Sequence, residues 1–160
     1  MAKFAFGGLE EYVSKLSALG DAVPEVAGKA IYTAAGIVAD QVRREIETLP
    51  VRDGYATSTK PARGVTKKGK AGLLSGLGIT ALREDNGYYH VKIGFDGKNA
   101  VKTKTYPSGQ PNQLIARAAE SGTSWLQPTP FVKPAVRKTK EKAVEAMQSV
   151  IDDECARLMK

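Results

Sequence analysis

The sequence holds one cysteine, Cys155, one histidine, His90, and one tryptophan, Trp125, and the first two scarcities close several chemical routes. A lone cysteine excludes an intrachain disulfide and suits synthesis in a reducing compartment. One Cys and one His cannot assemble a zinc site of the usual Cys/His kind within the chain. A Cys–His nucleophile pair would need Cys155, at an apolar position of the last helix, to meet His90, and buried free thiols are usually inert. Long apolar runs are also missing. The longest, Ala30 to Ala39, contains Thr33 and stops at Asp40, well short of the ~20 residues a membrane helix needs. Lys3, Phe4-Ala5-Phe6 and then Glu10 and Glu11 provide no secretory apolar segment. The expectation is a soluble chain with no membrane partner, and its 160 residues are the usual size of one domain with a real core.

Converging acid and base groups are scarce too. Glu10/Glu11, Glu84/Asp85 and Asp152/Asp153 are sequence neighbours, and adjacent residues on a helix do not face one another. Gly64-Val65-Thr66-Lys67-Lys68-Gly69-Lys70-Ala71 comes within one residue of a phosphate-binding loop. Ala71, however, has no hydroxyl for magnesium, and no strand precedes the loop. Gly76-x-Gly78-x-x-Ala81 falls inside a strand pattern, where a dinucleotide fingerprint cannot work. No catalytic residue, cofactor or metal is expected, and the chain reads as a protein that is not an enzyme.

What the chain has is positive charge, a formal +7 unevenly placed. Arg52, Lys60, Arg63, Lys67, Lys68 and Lys70 stand against Asp53 alone between positions 52 and 70. Lys102 and Lys104 form a second basic stretch. These eight side chains are the candidate interface for an anionic partner, either an acidic protein surface or nucleic acid phosphate. Tyr55 and Tyr106 lie near them and offer stacking platforms for non-specific nucleic-acid binding, the alternative function.

Periodicity organises the rest. Leu9, Tyr12, Val13, Leu16 and Leu19 share a helix face, Gly20 ends that helix, and Asp21 caps a second one. The core face of the second is Val23, Ala27, Ala30, Ile31, Ala34, Val38, Val42, Ile46 and Leu49, closed by Pro50. Residues 51–72, broken by Pro61 and four glycines, read as a long basic loop, an arm that orders against a partner. Leu74 to Leu82 and Tyr88 to Phe95 read as strands around the turn Asp85-Asn86-Gly87. The odd-numbered face of the second strand is expected to be buried. Ala100 to Tyr106 is a third strand or, with 96–111, a second arm. Asn112 caps a short helix, Gln113 to Glu120, and Pro134 opens the last helix, with Val136, Val144, Met147, Ile151, Cys155 and Leu158 on its packing face. The first half of that helix is basic and the second acidic, the reverse of what the helix dipole favours.

Between these helices lies a corner, Arg117 to Val136. Gly122 can take the left-handed conformation that stops a helix, while Pro128, Pro130 and Pro134 forbid regular structure. Trp125 and Phe131 are large apolar groups that need cover. The expected fold is therefore α+β, with residues 1–160 in one domain. It comprises a helical pair (1–50), a basic loop (51–72), a small antiparallel sheet (73–106), a short helix and Pro-rich corner (107–133) and a C-terminal helix (134–160).

Ala119-Glu120-Ser121-Gly122-Thr123 followed by Pro130-Phe131-Val132-Lys133-Pro134-Ala135 resembles the "E-x-G-T … P-F-x-R-P-A" signature of the tail-completion and head–tail joining proteins of long-tailed bacteriophages. Lys133 stands where that family carries Arg. The order of a helical first third, basic Gly-rich loop, strand region and final helix is similar as well. The resemblance implies a structural protein of the virion neck or tail, assembled in the host cytoplasm, without catalytic activity. It implies a ring of identical subunits, six in number, next to head–tail connector or tail-terminator proteins, with genomic DNA passing through the lumen. Glu120, Gly122, Thr123, Phe131 and Pro134 are then structural corner residues.

Overall fold

The computed structural model describes residues 9–54 and 56–160. Tyr55 and the side chains of Leu9, Tyr12, Val13 and Leu16 lie outside the described residues. The architecture of the described residues is α+β, four helices with short two-stranded ladders. No helix among the described residues is long and apolar enough to cross a membrane.

The first element, α1, is one continuous helix, Leu9–Thr48, where two were expected. Pro24 inside it removes the N–H that would bond the carbonyl of Gly20. Both residues are exposed, so water can replace that bond. Downstream, the small side chains Ala30, Ala34 and Ala35 are buried and let a neighbouring helix approach closely. That neighbour is α4, Val132–Leu158, which buries Ala135, Thr139 and Ala143 in return. The ion pairs Glu45–Lys138 and Lys29–Glu154 fix the two helices antiparallel.

The α4 face that packs is only in part the one its apolar residues mark: Met147, Cys155 and Leu158 are half-buried. Val136, Val144 and Ile151 are exposed, while the line of small residues meets α1. Close approach of two backbones outweighs the area of three larger side chains turned away. On α1 the expected core face largely holds: Ala30, Ala34, Val42, Ile46 and Leu49 are buried, whereas Val23 is exposed.

Residues 51–72 do not form a free arm. Val65 N donates to the Pro50 carbonyl at 2.9 Å and Arg52 N to the Val65 carbonyl at 2.9 Å. Gly64 makes the turn with φ +88°, and a Cβ there would strike the Pro50 carbonyl. The strand β1, Ala62–Arg63, then pairs in parallel with β6, Leu126–Gln127. Next, Thr66 caps a helix that sequence reading missed, α2, Lys67–Gly76, accepting from Gly69 N at 3.0 Å. Its glycines read as helix breakers, yet they are contact residues. A Cβ on Gly72 would run into the side chains of Asn112 and Asn99, and one on Gly76 into the Asp96 carbonyl.

Because α2 takes residues through Gly76, the first expected strand shrinks to β2, Leu77–Ile79, paired antiparallel with β5, Ile93–Phe95. Beyond it, β3 (Arg83–Asp85) and β4 (Tyr88–His90) continue the hairpin to its tip. There Asn86 and Gly87 both take positive φ, 52° and 83°, as a two-residue hairpin loop requires. The register changes between the ladders: residues 80–82 oppose only 91–92, so the first strand bulges by one residue. Tyr32 of α1 satisfies the bulge, its hydroxyl accepting from Leu82 N at 2.7 Å and donating to the Thr80 carbonyl at 3.2 Å. Burial of the odd-numbered face is partial: Tyr89, Val91, Ile93 and Phe95 are all half-buried.

No third strand forms at 100–106. The segment 96–111 is closed at its base by Asn99 N to Gln110 O and Gln110 N to Val101 O, each 2.9 Å, and so is a tied loop. Helix α3, Asn112–Ser121, follows. Asn112 is its first residue and not its cap; the side chain is buried and donates from Nδ2 to the Asp96 carbonyl at 2.7 Å. The core is one cluster of Val42, Ile46 and Leu49 with Val65, Leu73, Ala116, Ala119, Phe131 and Ala135.

Candidate docking surface at the corner

Helix α3 ends at Gly122, with φ +74°, where an added Cβ would stand 2.9 Å from Pro128 Cδ and 3.0 Å from the Leu126 carbonyl oxygen. Thr123 then holds a tight turn with its hydroxyl oxygen accepting from Trp125 N and Leu126 N. Thr129 N returns to the Ala119 carbonyl at 2.8 Å, folding the Pro-rich stretch back over α3. Phe131 enters the core and meets Phe95 edge to face, ring centres 5.9 Å apart.

Glu120 joins the two helices. Its carboxylate accepts from Phe131 N (2.8 Å), Val132 N (2.9 Å) and Lys133 N (3.0 Å). The next residue, Pro134, has no N–H, and Ala135 N bonds the Phe131 carbonyl at 3.2 Å. Every amide at the start of α4 is thereby accounted for, and a negative charge sits at the positive end of its dipole. Helix α4 has no side-chain cap from its own N-cap residue, Phe131. Pro134 does not open the helix but lies in its first turn, which begins at Val132. Lys133 contributes its backbone amide to the carboxylate, a role that does not depend on whether the side chain is Lys or Arg.

Trp125 is not covered. It is 57% exposed at the tip of the turn, with its carbonyl accepting from Ala62 N at 3.0 Å. The ring borders a shallow groove with Ala56, Thr123, Ser124, Leu126 and Arg52. Arg52 also lines a second, larger open basin of about 630 Å³ with Lys67, Lys68 and Lys102. The two basic stretches, distant in sequence, therefore meet in one place. Arg52 is anchored by Nη1 to the Gly54 carbonyl at 2.8 Å. Lys67 and Lys68 start α2, whose dipole adds positive potential at that end.

The remaining candidate cations divide. Lys60, Arg63 and Lys104 are exposed and lie outside the lining of the basin. Lys70 is structural: its ammonium donates to the carbonyls of Glu47 (2.6 Å) and Leu49 (3.1 Å). It thus closes the C-terminal end of α1. Tyr106 is half-buried, its backbone paired with Thr103, so Trp125 is the aromatic that accompanies the basin. The sequence placed Trp125 in the corner but gave no sign that it would be left uncovered; the turn that carries it is closed by Thr123 and Leu126.

Among the described residues no group of three or more His, Cys, Asp or Glu side chains is placed to hold a metal ion. Comparison with family models, with curated proteins and with solved structures finds no match for this chain.

Proposed function

We propose that this chain is a structural protein of the bacteriophage neck or tail, one that forms a ring and joins or completes the tail at the head connector. The observation that carries the reading is the corner. The residues of the resembled signature form one device in which Glu120 clamps the start of α4, Gly122 permits the turn and Phe131 anchors it in the core. That device presents Trp125 rigidly to solvent beside the basin of Arg52, Lys67, Lys68 and Lys102. An exposed indole flanked by arginine is the composition of an interface anchor. On this reading six copies close into a ring through head-to-tail contacts between two different surfaces. The Trp125 groove and basin meet an acidic surface of the adjacent connector or tail-terminator ring, and no bond is made or broken.

Electron microscopy of particles assembled without this protein tests the proposal. Filled heads and finished tails lying apart are expected; normal virions would end it. A second reading, non-specific nucleic-acid binding, is favoured by Arg52, which lines both the groove of the exposed Trp125 ring and the basin of three lysines. It leaves particle morphology intact and instead gives the isolated chain a salt-sensitive affinity for DNA.

A further inference from the structure

Helix α4 turns three of its larger apolar side chains to solvent, while Val132, Met147, Val150 and Leu158 are half-buried. Val136 is 45% exposed, Val144 55% and Ile151 38%, and their spacings of eight and seven keep them on one side of the helix. Two shallow grooves lie along the exposed part of α4, and they differ in charge. One is lined by Val132, Lys133, Val136, Arg137, Lys140 and Glu141. The other, centred about three and a half turns further on, is lined by Glu145, Gln148, Ser149, Asp152 and Asp153. Arg137, Lys140, Glu145 and Asp152 make no ion pair among the described residues. The charges that α4 uses within the fold, Lys138 and Glu154, point to α1.

A partner for this surface must carry an acidic segment opposite the basic groove, a basic segment opposite the acidic one, and an apolar centre at the same spacing. A second copy of α4, run antiparallel, has all three by construction. A twofold axis near Val144 sets Val144 against its own copy and Arg137 of each chain against Asp152 of the other. A parallel pairing would oppose like charges. The arrangement requires opposite charge in the two halves of α4, and the helix has it although its order is unfavourable for its own dipole.

We propose that α4 is a self-association surface through which two copies of this chain pair antiparallel about a twofold axis. The contact is independent of the ring reading: it closes at two copies, whereas a ring needs two different surfaces per subunit. Sedimentation velocity of the full chain at micromolar to submillimolar concentration tests it. The wild type is expected to sediment as a dimer, weakened by high salt. R137E/K140E makes the linings of both grooves net acidic and E145K/D152K makes both net basic, so each variant alone should sediment as a monomer with unchanged far-ultraviolet circular dichroism. An equimolar mixture of the two should recover the dimer, because each acidic half then meets a basic one. A wild type that stays monomeric throughout, association that survives in either variant alone, or a mixture that fails to pair overturns the proposal.

Discussion

A carboxylate that accepts three backbone amides of another element is a single point on which two helices depend. Glu120→Ala removes the acceptor from Phe131 N, Val132 N and Lys133 N together and leaves no side chain at the Phe131 cap to replace it. Hydrogen bonds to a charged group contribute about 1.5–3 kcal/mol each at best, and loss of a helix cap costs about 0.5–2 kcal/mol. With water able to reach part of the site, a destabilisation of about 2–3 kcal/mol is expected, measured by urea unfolding. Glu120→Gln keeps one acceptor oxygen and should lose less. Equal stability of Glu120→Ala and wild type would show that the clamp contributes nothing. Gly122→Ala is expected to cost at least about 1 kcal/mol, since it combines positive φ with the contact to Pro128. The sequence marked both residues as parts of a corner, but not the carboxylate's role, because nothing in local spacing connects position 120 to amides eleven to thirteen residues on.

Between elements, the α1–α4 pair combines close-packed small residues with ion pairs at its two ends. Hydrogen bonding to Lys138, and secondarily to Gln41, holds the Glu45 carboxyl below its ordinary value of 4.5. Arg157 and then Lys29 do the same for Glu154. Carboxyls depressed in the folded state stabilise it at pH above their unfolded value and lose that contribution as pH falls through the folded one. Thermal melting from pH 7 to 3 should therefore show a midpoint that begins to fall near pH 4.5 and keeps falling below it. Glu45→Gln should remove part of this dependence and cost a few tenths to about 1 kcal/mol at neutral pH, the range for a pair whose lysine is solvated. A pH profile of Glu45→Gln superimposable on the wild type would contradict that assignment. The same pair shows which elements were legible in the chain. The core face of α1 from Ala30 to Leu49, the Asn86-Gly87 hairpin tip and helix α3 follow from period and turn chemistry. The packing face of α4 follows only in part: of the residues apolar size marked, Met147, Cys155 and Leu158 are half-buried and Val136, Val144 and Ile151 exposed, while backbone proximity selected Ala135, Thr139 and Ala143. Helix α2 was hidden for a related reason. Gly72 and Gly76 look like punctuation until Asn99, Asn112 and Asp96 lie against them, as does Gly69 until Thr66 and Ile115 do.

Across the whole molecule, the two basic stretches meet in one basin only because the chain ties both back to the body. The Pro50, Arg52 and Val65 hydrogen bonds and the Asn99 and Gln110 pair bring Arg52, Lys67, Lys68 and Lys102 to one basin; linear charge density revealed the residues but not their convergence. Lys67, Lys68 and Lys102 are exposed, so replacing all three by Ala should leave stability within about 0.5 kcal/mol per substitution. Any functional loss is then electrostatic. Fluorescence anisotropy with a short DNA duplex across several salt concentrations separates the two readings. If DNA is the partner, the wild type shows a steep dependence of log affinity on log salt, and the triple variant is shallower by up to about 2.7, some 0.9 for each phosphate contact removed. If the basin meets an acidic protein ring, duplex binding is weak in both proteins, yet the triple variant still leaves heads and tails unjoined. A triple variant that joins particles normally and binds duplex as the wild type does would remove the basin from either function and leave the Trp125 groove as the docking element.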